Sequence, residues 1–399
     1  NYLYRLPGSD TWYTLSGNQM TLFTDSVNAS DYTKTGTTVR TGGTIHFTGT
    51  DASRTVSAYG DVFALAGETA PVVDLGAISV AASVIIAELN SVQNAFVENL
   101  TVDLPNANGT FTVKSILNID DGVLDNYSHT GRGGATAYVG ASDVSVKLLG
   151  VDISSATARA NAACNAYIAG SVINKGNVSV LSQGASIADA TIGNGSSAQF
   201  VGVGVAHVEA EAAGTFRAYI DTDVRDSAGV ALSSVTMTPA DVQVNVFYYA
   251  VARASVVSPK GGVTVQAGAS TTEVNIAHSN VTTQAIAAIL GSGSIGTAAS
   301  RAGDITLTAQ GYTLALASVA ASDISFAGVK IAANQLSAEL NSLQQAYLQD
   351  ATVFADTLTI SSILNNDTYY IDTASFALTK TSGDHTLAGG AYAIHGGNG

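Results

Sequence analysis

The sequence predicts a repetitive all-β fold, a solenoid of short strands, and three observations carry that expectation. The first is composition. Charged residues make up 12% of the 399 while apolar residues make up 46%, and there are 40 glycines. That charge content is about half the share usual in soluble domains, so Ser, Thr, Asn and Gln must cover much of the surface. Such a surface suits strands and turns better than helices, and the chain is too apolar for disorder. The second observation is a short alternating segment that recurs after Gly, Asn or Asp. The third is a longer internal repeat, which points to stacked units.

The alternating segments are Gly176-Asn177-Val178-Ser179-Val180, Gly261-Gly262-Val263-Thr264-Val265 and Gly303-Asp304-Ile305-Thr306-Leu307. Asp143-Val144-Ser145-Val146, Asp241-Val242-Gln243-Val244 and Asp323-Ile324-Ser325-Phe326 follow the same pattern. Apolar residues alternate with polar ones, the period of a strand with one buried face. The residues at the entrance tolerate turn geometry.

The longer repeat pairs Ala87-Glu88-Leu89-Asn90-Ser91 with Ala338-Glu339-Leu340-Asn341-Ser342, 251 residues apart. Downstream, Ser115-Ile116-Leu117-Asn118 matches Ser362-Ile363-Leu364-Asn365 at an offset of 247, so a four-residue length change belongs in a turn between the two matches. A unit of Ala, an aromatic and a branched residue recurs at Ala95-Phe96-Val97, Ala137-Tyr138-Val139, Ala166-Tyr167-Ile168, Ala218-Tyr219-Ile220 and Ala346-Tyr347-Leu348. Ala288-Ile289-Leu290 reads as a further copy without the ring. Ile85, Leu89, Val92, Phe96 and Leu100 also fall at helical spacing, as do Leu336, Leu340, Leu343 and Tyr347. Strand is the expectation there, with a short helix as the alternative.

Texture divides the chain into residues 1–70, rich in aromatics and Thr, a repetitive region over 71–365, and a different segment over 366–399. Atypical ends around a repetitive middle are what a solenoid needs, because its open strand edges otherwise recruit other chains.

The repeats resemble those of the filamentous haemagglutinin and leukotoxin-like adhesins, secreted bacterial exoproteins. The pieces that carry the likeness are Ala166-Tyr167-Ile168-Ala169-Gly170-Ser171-Val172 leading into Gly176-Asn177-Val178-Ser179-Val180. Val201-Gly202-Val203-Gly204-Val205-Ala206 followed by Ala218-Tyr219-Ile220 is similar, and the likeness spans about residues 75–365. The resemblance implies a right-handed parallel β-helix, export to the cell surface, and adhesion or fibre formation. The chain departs from the family in showing no secretion domain at its start, and its aromatic-rich opening segment has no obvious counterpart. Roughly 20–25 residues per rung and about 4.8 Å between rungs would make a rod about 55–70 Å long.

The formal charge of −15, with 16 Lys plus Arg, argues against nucleic acid as a partner. No apolar run is long enough to span a membrane as a helix. Cys164 sits among small residues and reads as a buried small hydrophobe. Gly291-Ser292-Gly293-Ser294-Ile295-Gly296 matches a dinucleotide fingerprint, but a strand rather than a helix is expected after it, so it reads as a Gly-rich turn. His46, His129, His207, His278, His385 and His395 are scattered without metal-ligand spacing.

Acidic clusters occur at Asp221, Asp223 and Asp226, at Asp120, Asp121 and Asp125, and at Asn365-Asn366-Asp367. They read as solvated turns, as oxygen ligands for a structural Ca²⁺ (Asp221, Asp223 and Asp226 above all), or as the carboxylate pair of a polysaccharide lyase or hydrolase. No catalytic residue or cofactor is expected beyond that calcium.

The leading expectation is a structural subunit of a secreted, cell-surface fibre or adhesin, assembling head-to-tail through its terminal segments. Tyr2, Tyr4, Trp12 and Tyr13 are candidate junction residues. Its partners would be copies of itself and surface glycans of a host or neighbouring cell. The alternatives are a carbohydrate-active β-helix enzyme and a surface-layer or tail-spike protein.

Overall fold

The computed structural model describes residues 53–68, 78–104, 108–119, 134–140, 144–193, 196–226, 229–257, 270–320 and 329–365. It also describes short strands between 3 and 46 and at 73–74, 264–266, 323–325, 368–371, 378–379, 385–388 and 390–396. The described residues are all-β, without a helix, and most strands lie in parallel sheets.

Two large sheets and a narrow third side dominate. The first sheet holds Ile78–Glu98, Val144–Ala169, Ser196–Asp221, Ser270–Leu290 and Val329–Gln349, in chain order and all parallel. The second sheet holds Arg54–Gly60, Thr110–Leu117, Asn177–Gly193, Val242–Val257, Ala302–Ala320 and Ala355–Leu364, again in chain order and parallel. Phe63–Glu68, Gly134–Val139 and Gly390–Gly396 extend three of its layers. The third side is a stack of short strands, Thr44–His46, Thr101–Asp103 and Val172–Asn174, then Thr236–Met237, Ser294–Ile295 and Thr352–Val353. An isolated bridge from Asn174 to Thr238 joins its two halves.

Each circuit of the chain thus runs along the first sheet, turns into a short strand, turns again into the second sheet, and returns one layer further on. Arg54–Gly60 and Phe63–Glu68, from the aromatic-rich opening segment, belong to this stack, as does Gly390–Gly396 from the last segment.

The circuits are far wider than expected. In the first sheet Ile78 pairs with Leu149, and Leu149 pairs in turn with Val201, so one circuit consumes much more chain than a slender rung would. At about 4.8 Å per layer the described stack is roughly 20–25 Å tall. A strand of 21 residues, such as Ile78–Glu98, has a contour of about 70 Å. The expected slender rod is therefore corrected to a broad, short stack. Insertions of unequal length, such as the antiparallel pair Asp223–Arg225 and Ala231–Ser234, hide the true period from the sequence.

Alternation builds the core. In Val144–Ala169 the inward positions are Ala156, Ala158, Ala160, Ala162, Cys164, Ala166 and Ile168, all buried. Small residues facing one another let the two sheets enclose one continuous core. Its stacked rings, Phe216 and Tyr248, lie 4.9 Å apart. Tyr248 is flanked in its ladder column by Gly184 and Gly311, and a Cβ at Gly311 would clash with the edge of the tyrosine ring. A second apolar cluster, including Ile116, Ile187, Tyr249, Val251, Tyr312 and Leu314, lies on the outer face of the second sheet.

The sequence repeats occupy matching columns. Ala87, Ala158, Ala210, Ser279 and Ala338 form one column, so the two copies of Ala-Glu-Leu-Asn-Ser are the first and last strands of the first sheet. The Ala-aromatic-branched unit stacks likewise at Ala95, Ala166, Ala218, Ala287 and Ala346. Two details of the expected alignment change. The ringless copy is Ala287-Ala288-Ile289, one residue earlier than expected, and Ala137-Tyr138-Val139 belongs to the second sheet. The helical alternative is excluded, since both segments are strands.

Candidate functional site

The sequence points to the acidic corner after Ser196–Asp221 and to the ends of the stack. In most layers the corner after a first-sheet strand is a left-handed residue, at Asn99, Gly170, Gly291 and Asp350, with φ between 54° and 94°. Gly, Asn and Asp are the residue types that reach this conformation at least cost. Thr222 holds the equivalent place in the middle layer, and the inserted antiparallel pair follows it.

Here Asp221 and Asp223 are drawn together, but around a cation of the chain itself. Arg225 donates from Nε to Asp221 at 2.7 Å and from Nη2 to Asp223 at 3.1 Å. The amide and hydroxyl of Ser292, in the next layer, each donate to Asp223 Oδ1 at 2.8 Å. The Asp223 amide donates to Asp221 Oδ1 at 3.0 Å. Asp226 accepts the Val230 amide at 2.9 Å and closes the turn of the insertion. The Ser292 amide, then its hydroxyl and the Arg225 guanidinium, hold the Asp223 carboxyl below the ordinary carboxylate range despite its burial. The arrangement clasps the insertion to the neighbouring layer. Among the described residues no three His, Cys, Asp or Glu side chains gather as a metal site. Asp120, Asp121, Asp125, Asn366 and Asp367 lie outside the described residues.

The Gly291–Gly296 motif forms a corner, a two-residue strand Ser294–Ile295 and a second corner, with Gly291 and Gly296 both at positive φ. No helix follows, so the geometry needed to cradle a pyrophosphate is absent there. Cys164 is buried, as expected, and burial pushes its thiol up.

On the outer face of the first sheet, like residues stack on like. The Phe96 and Tyr167 rings lie 5.1 Å apart, and the Tyr167 and Tyr219 rings 4.8 Å apart, both stacked with nearly parallel planes. Burial, then Asp221 and Glu98, push the Tyr219 hydroxyl up to about 12. Arg159 spans layers by binding Glu88, Glu209 and Glu211 at 3.0, 3.2 and 3.0 Å. Sequence reasoning did not single out this fan, although Glu88 and Glu211 share the ladder column of Arg159.

The ends of the stack differ from its middle. Val242 and Ile305 are 0% exposed, yet Leu358, next in the same column, is 44% exposed. Val244 and Leu307 are likewise buried, and Ile360 beside them is 43% exposed. At the other end Val56, Ala58, Ala64 and Ala66 are only partly buried. Residues that would face inward in the middle of the stack are therefore open to solvent at both ends.

Of the candidate junction residues, Tyr2 lies outside the described residues. Tyr4 pairs with Tyr13, and Arg5 with Trp12, in an antiparallel sheet formed by Leu3–Arg5, Trp12–Ser16 and Gln19–Leu22. No protein-family model, curated protein or solved structure matches the chain.

Proposed function

We propose that this chain is a structural subunit of an extracellular fibre or adhesin, built as a right-handed parallel β-helix and assembling end to end. The observation that carries the reading is the loss of cover at both ends, where core columns run on into solvent at Leu358 and Ile360 at one end and to partly buried Val56 and Ala58 at the other. Native edges are usually blunted by Lys, Pro, bulges or a covering element. Ala355–Leu364 carries one charged residue, Asp356, and Arg54–Gly60 carries one, Arg54, and neither contains proline. A charge-poor surface of Thr, Ser and Asn ladders supports a structural role.

Electron microscopy of the purified full chain, before and after concentration, tests the reading. Filaments are expected, with an axial repeat of about 29 Å if six layers near 4.8 Å make one copy. Dispersed compact particles at every concentration would overturn it.

A further inference from the structure

We infer that the outer face of the first sheet, where its strands begin, is a docking face on which a second copy of the chain pairs laterally. This contact lies on the side of the stack and is separate from the end-to-end contact proposed above.

The alternation along the first sheet carries the argument, because it is reversed at the strand starts. Further along, Ala156, Ala158 and Ala160 point inward and are buried. At the start, the inward positions of the same strand are Gly150, Asp152 and Ser154, and those of the next strand are Gly202 and Gly204. A Cβ at Gly204 would meet nothing within 4 Å, so the inner face is not packed at that position. The apolar residues point outward instead. Leu149, Val151 and Ile153 pair with Val201, Val203 and Val205 on one side. Leu149 and Val151 pair with Ile78 and Val80 on the other. The same columns run on through Thr272 and Val274 to Ile331 and Ala333. Among the described side chains of these three columns, Thr272 alone is polar. The exposure is not that of a strand edge. Leu149, Ile153, Val201 and Val203 each have a paired strand on either side, yet they are 37–42% exposed.

Area and charge name the occupant. Three columns two residues apart, crossed by five layers, outline a flat surface of about 25 by 20 Å. Two such surfaces face to face bury about 1,000 Å² between them, the size at which a specific interface begins. Further along the strands the same outer face carries Glu88, Glu209, Glu211 and Glu339, with Arg159 among them. The whole chain has a formal charge of −15. Two copies laid fully over one another would bring those carboxylates together. A two-fold axis along the stack, placed at the strand starts, overlaps the uncharged columns and sends the two bodies in opposite directions. It also keeps the layers of both copies in step, so each row of side chains meets a row of the same spacing. A contact of this kind closes on itself as a dimer.

Sedimentation velocity of the full chain over a hundredfold range of concentration tests the contact. The wild-type chain should pass from one copy to two. Val203→Lys, and separately Val151→Lys, place a charge at the centre of the face, where pairing would bury it. Each should weaken association at least tenfold while the thermal melt followed by circular dichroism stays near that of the wild type. Thr282→Lys, at an exposed outward position beyond the Arg159 column, should pair as the wild type does. A wild-type chain that never pairs, or pairs that survive both charged valine variants, would overturn the inference. Equal loss with Thr282→Lys would overturn the placement of the contact. A chain that stays single but sediments with phosphatidylcholine vesicles would give the face to a lipid surface instead. Dimers without filaments would sustain this contact and overturn the fibre reading, and filaments from a chain that never pairs laterally would do the reverse.

Discussion

Asp189 and Arg253 share one ladder position on the outer face of the second sheet, at 2% and 3% exposure, and form an ion pair. Thr191 donates to Asp189 at 3.4 Å. One layer further on the column holds Leu316, which is fully buried, so the place itself accepts an apolar side chain. Removing one member of a buried pair deprives the other charge of its counter-ion, at a cost of about 3–5 kcal/mol. Replacing both with apolar residues is often neutral. Arg253→Met should therefore lower the denaturation midpoint steeply, and adding Asp189→Leu should recover most of the loss. Losses that simply add in the double variant would show that the two side chains act independently. Neither partner was legible in the sequence, because positions so far apart along the chain become neighbours only through the layer offset.

Where a second-sheet strand is interrupted, an asparagine substitutes for the missing backbone partner. Asn118 ends Thr110–Leu117 at φ 59°, its Oδ1 accepts the Val62 amide at 2.8 Å, and its Nδ2 donates to the Ala185 carbonyl at 3.2 Å. Asn365 ends Ala355–Leu364 at φ 57°, and its Oδ1 accepts the Thr313 amide at 2.8 Å. The repeat Ser-Ile-Leu-Asn, visible in the sequence, is thus a stop signal used in the second and the last layer of the same sheet. Its four-residue change of offset falls between Val102 and Thr110 in one copy and between Val353 and Thr357 in the other, the turn into the second sheet. Asn118→Ala should cost about 1–3 kcal/mol, the penalty of an unpaired buried amide, and Asn365→Ala should cost a similar amount. Urea unfolding of each variant measures it, and a loss within error of zero would show that the side chain is not needed at the break. The pseudo-helical spacing of Ile85, Leu89, Val92 and Phe96 has an equally local cause. Val92 and Phe96 are exposed on the outer face, while Ile85 and Leu89 pack on the core, so residues of two faces mimic one stripe.

For the whole molecule, a residue's layer decides its energetic weight as much as its identity does. The alternation and the columns were legible in the sequence because in-register parallel pairing places like on like. The circuit width was not, because loops of unequal length separate the strands, so the step from Ile78 to Leu149 is longer than the step from Leu149 to Val201. Leu307 and Ile360 show what the stack adds. Both face inward in one column, but among the described residues Leu307 has a layer on either side and Ile360 has one on one side only. Leu307→Ala should remove a fully buried side chain and cost about 2–5 kcal/mol. Ile360→Ala removes a side chain already 43% exposed, so less apolar area returns to water and no closed cavity forms. Its cost should stay below about 1.5 kcal/mol, scaling with the area actually buried. Unfolding measured in dilute solution, where copies do not stack, compares the two directly. Equal losses would mean that the terminal layer is covered in solution and that its exposed columns are not an open end.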